Sequence, residues 1–96
     1  MKPTDAPTAN PQVILHEEFD DWVLLFLPLT GEVVGIDPVG LLIWKMLDGR
    51  RTAAEIASAI AAQCKDAPPT VLDDTLAFLT DLSRRMFVST EKTGTE

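Results

Sequence analysis

The chain predicts an α+β fold: a three-stranded antiparallel sheet followed by a three-helix bundle resembling a winged helix-turn-helix. Three observations carry this. Apolar and β-branched runs fill residues 13–36 without a helical period. Helix start and stop signals then punctuate residues 37–85. The ends carry no periodicity: residues 1–11 contain three prolines, and residues 89–96 are polar, so they read as a disordered arm and a flexible tail. The expected domain is therefore 12–88.

The first strand is Val13-Ile14-Leu15, running into the acidic turn Glu17 to Asp21. The second is Trp22 to Leu27, six apolar residues in a row, which predicts a central strand covered on both faces. Pro28-Leu29-Thr30-Gly31 forms a hairpin loop, its glycine suited to the left-handed position. Glu32-Val33-Val34-Gly35-Ile36 is the third strand. In a simple meander the first and third strands are edges.

Asp37-Pro38 is an N-cap followed by proline at the first helical position. Val39, Leu42, Ile43, Met46 and Leu47 follow at the spacing of one helix face, until Asp48-Gly49 stops the helix. Thr52-Ala53-Ala54-Glu55 is a capping box, opening an alanine-rich second helix with Ile56, Ile60 and Cys64 on one line. After Pro68-Pro69, Thr70 is placed to cap a third helix that ends near Arg84-Arg85, and Phe87-Val88 suits a short last strand.

Composition limits the chemistry. With 96 residues, 46% hydrophobic and 24% charged, the chain is one globular domain. Fifteen acids against eight bases give −7, which disfavours a phosphate backbone as partner. One cysteine and one histidine exclude a disulfide framework and a Cys- or His-rich metal site. No cofactor is expected. No secretory signal or membrane-spanning run is visible, so the expected location is the cytoplasm. His16 at a strand end reads as structural or solvent-facing, and Cys64 as an inert core thiol. The pairs Asp20-Asp21 and Asp73-Asp74 read as solvated turns and faces, since adjacent carboxylates diverge. Trp44 reads as core packing at the side of the first helix.

The third helix has more apolar arc than one core needs. At about 100° per residue, Val71, Phe78 and Leu82 lie on one flank and Leu72, Leu76 and Leu79 on the other. The second flank is expected to be the spare one, lining a groove beside the third strand. Gly35 lies in the middle of that strand, where the alternatives are a bulge, a tight contact with the following helix, or close approach of a guest backbone. An open edge beside an apolar helix flank suits strand addition by a peptide.

The set Gly35-Ile36-Asp37-Pro38-Val39-Gly40, Ile43-Trp44, Leu47-Asp48-Gly49, Thr52 with Glu55-Ile56-Ala57, and Asp74 with Phe78-Leu79 and Leu82 resembles the PqqD family, named from pyrroloquinoline quinone (PQQ) biosynthesis. The resemblance spans roughly residues 13–88. It implies the fold called the RiPP recognition element and a peptide chaperone, not an enzyme. Such proteins bind the leader of a ribosomally made precursor peptide between the third strand and third helix. They present it to a modifying enzyme, often a radical SAM enzyme. Mapped here, the implied peptide-binding residues are Val33, Val34, Gly35 and Ile36 on the strand and Leu72, Leu76 and Leu79 on the helix. Many members have Asn at Asp37, which caps equally well, and Gly at Met86, so the end of the third helix is expected to differ. The alternatives are a homodimeric interaction domain and a winged-helix transcription regulator. Asp73, Asp74 and Asp81 on the would-be reading helix argue against the latter.

Overall fold

The computed structural model describes residues 1–17, 22–64 and 68–90. In chain order the elements are β1 (Thr8–Ala9), β2 (Ile14–Glu17), β3 (Val23–Leu27), β4 (Glu32–Ile36), α1 (Pro38–Trp44), α2 (Ala53–Gln63), α3 (Val71–Arg84) and β5 (Val88–Ser89). The main sheet is the expected antiparallel meander in the order β2-β3-β4. Its register sets Val23 opposite Ile36 and Leu27 opposite Glu32. On the other side of β3, Ile14 stands opposite Phe26. The acidic turn lies largely outside the described residues.

The period of two along β3 decides which face makes the core. Val23, Leu25 and Leu27 are buried, whereas Leu24 and Phe26 are half-buried. The central strand is therefore covered fully on one face only, against the expectation of two. The other face, continued by the exposed Ile14, Trp22 and Val33, stays partly open. The covered face packs on Ile43, Ile56, Ile60, Leu79, Leu82 and Phe87. Each such side chain contributes about 1.5–3 kcal/mol on burial.

Local chemistry explains the element ends. Gly31 takes φ 74° and donates its N–H to the Leu27 carbonyl, closing the β3–β4 loop. Asp37 caps α1, its Oδ1 accepting from the Gly40 N–H at 2.8 Å. The capping box of α2 is complete: Thr52 Oγ1 accepts from the Glu55 N–H and Glu55 Oε1 from the Thr52 N–H. Two other ends differ from expectation. Helix α1 stops at Trp44, so Met46 and Leu47 fall in the connection, where Leu47 is still buried. Gly49 takes φ 78° beyond that turn, and a Cβ there would stand 2.6 Å from Thr8 Oγ1. Thr70 makes no side-chain cap for α3; its hydroxyl bonds to Asp74 Oδ2 instead.

Helix α3 ends in a Schellman arrangement, with Phe87 N–H donating to Leu82 O and Met86 N–H to Ser83 O. The left-handed residue is Met86, at φ 68°. The turn geometry asks for glycine there, and this chain keeps it with a side chain.

The first eleven residues are laid along the domain, where a disordered arm was expected. Strand β1 pairs with β5, setting Thr8 opposite Ser89 and Ala9 opposite Val88. The carbonyls of Pro3 and Asp5 accept from the N–H groups of Ala54 and Ala53, two of the four unpaired donors that open α2. Pro7 is buried, its carbonyl accepts from Gly49 N–H, and the Met1 ammonium donates to Thr80 Oγ1. Low apolar periodicity hid this, because the arm is held by its backbone. Residues 91–96 of the expected tail lie outside the described residues.

Candidate functional site

Among the described residues strand β4 is an edge of the sheet, with β3 as its single neighbour. Alternate N–H and C=O groups of an edge strand point away from the sheet, a row of main-chain partners for another chain. Val34 and Ile36 share the core-facing side with Leu25 and Val23; Ile36 is buried and Val34 half-buried. Val33 and Gly35 face the other way, both exposed. Gly35 sits in regular register opposite Leu24, with no bulge. A Cβ on Gly35 would meet Leu24 Cδ2 at 3.6 Å, an ordinary contact, so no close packing among the described residues requires the glycine.

Two contacts fix α3 beside this edge. Arg85, just past the helix, bonds to Glu32 at the start of β4 and to Asp81 Oδ2 at 3.0 Å. The Phe78 ring reaches the start of α1: a Cβ on Gly40 would stand 3.3 Å from Phe78 Cζ and 3.0 Å from Ile36 Cβ. Helix and strand thus run antiparallel, tied at one end by the Glu32–Arg85 pair and meeting α1 at the other through the Phe78 ring. The Arg85 pKa is raised, first by the Asp81 hydrogen bond and then by Glu32.

The helix flank that faces β4 is therefore the one carrying Phe78 and Arg85. The expected groove residues Leu72, Leu76 and Leu79 lie farther around the helix from this flank. Leu79 is fully buried in the common core. Leu76 is half-buried against that core, and Leu72 is exposed. Leu76 lies about 200° around the helix from Phe78, on the side of Thr80, where the N-terminal arm docks. Of the seven residues named from the sequence, the four on β4 form one edge, while on α3 Leu79 lies in the core with Ile36, Leu76 is half-buried against it and Leu72 is exposed. Phe78, Arg85 and Gly40 are the wall residues that sequence reasoning missed. A signal existed, since Phe78 and Gly40 both belong to the family-like set while being assigned only to core and helix start.

Beyond the end of β4 the wall opens into a cavity of about 460 Å³ lined by residues of α1, α2 and α3, among them Asp37, Ile43, Ile60, Val71, Asp74 and Phe78. Cys64, just past α2, also lines it, half-buried and packed against the core. Among the described residues no group of three or more metal-ligating side chains is assembled. No described helix is long and apolar enough to cross a membrane. On α3, Asp73, Asp74 and Asp81 are exposed, and Arg85 just past the helix is paired with carboxylates.

Comparison with known proteins gives two matches. A solved structure described as TbiB1 in complex with the TbiA(beta) leader peptide is similar to this chain at 30% identity and a TM-score of 0.71, over 88% of this chain and 98% of that one. No curated protein matches it. The family model described as Coenzyme PQQ synthesis protein D (PqqD) matches residues 12–88, most of the chain, which belongs to the PqqD family.

Proposed function

We propose that this protein is a non-catalytic chaperone for a ribosomally made precursor peptide. The leader segment adds as a strand to the free edge of β4, pairing with residues 33–36, and its inward side chains lie against the Phe78 flank of α3. The observation that carries this is the juxtaposition of an edge strand with an apolar helix flank at its open side, in a chain similar to a protein solved with a leader peptide. Main-chain pairing supplies affinity, and the pockets for alternate side chains supply selectivity. The bound leader is then presented in the cytoplasm to a modifying enzyme of the radical SAM type. The product is PQQ or another modified peptide.

Amide shift mapping with the leader of a precursor encoded beside this gene tests the groove. Residues 32–36 and the Phe78–Arg85 stretch are expected to shift most. Shifts confined to β2 or α2 would place the peptide elsewhere and end the proposal.

The apolar outer sheet face, with Ile14, Trp22 and Val33 exposed, favours a second reading, a homodimer that covers it. Sedimentation at rising concentration tests this, and a monomer throughout would exclude it.

A further inference from the structure

The cavity at the end of β4 has a divided chemistry. Its floor is apolar, with Ile43 and Ile60 buried and Val71 and Phe78 half-buried. Its rim carries two carboxylates, Asp37 and Asp74, and no base among the described residues lines it. Each carboxylate has one oxygen engaged locally, Asp37 Oδ1 by the Gly40 N–H and Asp74 Oδ2 by the Thr70 hydroxyl. A carboxylate offers about four acceptor positions, so both keep capacity for a further donor. An apolar floor under an anionic rim matches a side chain with a hydrocarbon stem and a cationic head, which buries the stem and leaves the charge at the surface.

We propose that this cavity is a subsite for a Lys or Arg side chain of the bound peptide, an inference that rests on the groove-binding function proposed above. The stem lies on Ile43 and Phe78, and the cation meets Asp37 and Asp74. The Phe78 face adds a favourable contact for the charge. Asp37 directly follows β4, so a peptide strand paired along 33–36 delivers a residue flanking its paired segment to the cavity. The basic residue therefore has a fixed offset from the paired stretch. The chain's net charge of −7 speeds the approach of such a peptide without setting that offset.

A displayed library of random 12-residue peptides, selected against the full chain at low salt, tests this. Wild type is expected to enrich alternating apolar peptides with Lys or Arg at one fixed position. An Asp37→Asn/Asp74→Asn double variant is expected to keep the alternation and lose the base; Asn caps a helix about as well as Asp, so α1 survives the change. Replacing that Lys by norleucine in a selected peptide should weaken binding about five- to tenfold on wild type and under twofold on the variant, the difference shrinking with salt. Alternating apolar peptides without a fixed base overturn the subsite and leave the groove standing. Bases scattered along the peptide, or equally enriched by the double variant, also overturn it as mere net-charge attraction. Absence of any alternating pattern overturns both the subsite and the groove.

Discussion

The two flanks of α3 are equally apolar in sequence and differ in what covers them. Leu76 and Thr80 lie on the side where the N-terminal arm docks, with the Met1 amine on Thr80 and the Pro3 and Asp5 carbonyls on the start of α2. Phe78 and Arg85 lie on the side of β4 and α1, where a side-chain tie and a ring contact cross. One flank is closed by the chain's own backbone; the other borders a free strand edge. A wide apolar arc thus reports that two surfaces meet a helix, and the arc alone does not say which of them is left for a guest.

The largest expected effects separate core from wall. Leu79→Ala should cost about 2–5 kcal/mol in urea unfolding, because its site is fully enclosed. Phe78→Ala should cost less stability, since the ring is half-buried, and should remove peptide binding. Leu76→Asp should lower stability by about 2 kcal/mol through lost burial. The comparison breaks if Leu76→Asp leaves stability unchanged and abolishes binding, for then the guest uses the flank assigned to the arm.

Removing residues 1–9 tests the closed side next. It leaves the Ala53 and Ala54 donors without the Asp5 and Pro3 carbonyls and opens the buried Pro7 site. At about 1 kcal/mol net per hydrogen bond, with the lost burial added, the deletion should cost about 2–4 kcal/mol. Faster amide exchange at Ala53 and Ala54, with residues 32–36 unchanged, would confirm that the arm serves α2 and not the groove. A truncated chain as stable as the full one would show that the closed flank needs no cover.

Much of this was legible in the sequence, for reasons that differ by element. The Asp37 cap, the Thr52–Glu55 box and the Gly31 turn were readable because each is a local contest for a few backbone donors, decided within four residues. The β4 edge followed from strand order in a meander. The arm was not readable, since Pro3, Asp5 and Pro7 contribute carbonyls, which every residue has. The orientation of α3 was not readable either, because the contacts on its β4 side, the Glu32–Arg85 pair among them, join residues far apart in the chain. The end of α1 was misplaced since Met46 and Leu47 continue the apolar spacing past the last helical residue.

Met86 offers a smaller test at the junction of the two sides. It holds a left-handed φ of 68°, and its carbonyl accepts from Asn10 Nδ2 at 2.8 Å. Met86→Gly removes the Cβ conflict of that conformation and should raise stability by about 1 kcal/mol. Its side chain is exposed, so little packing is lost. A destabilised variant would mean that the methionine contacts the arm in a way that outweighs its backbone strain.

The smallest effect concerns pH and again divides the flanks. Asp48 Oδ1 accepts from the N–H groups of Arg51 and Arg50 at 3.0 and 2.9 Å, and these bonds, the Arg51 one foremost, hold its carboxyl below the usual aspartate range. A depressed folded pKa means stability that is fully present above the ordinary aspartate value and is lost as pH falls through the lowered one. Asp48 also bridges to Thr8 of the arm, and the next residue donates its N–H to Pro7. Acid should therefore loosen the arm and the start of α2 before it disturbs β4. Asp48→Asn keeps the two acceptor bonds in weaker form and removes the titration, so its stability deficit against wild type should close as pH falls below about 4. Amide exchange at Gly49, Ala53 and Ala54 against residues 32–36, followed from neutral pH downward, reads the order directly. If β4 opens first, the strand edge is the weaker side even without a guest, and the ranking of the two flanks is reversed.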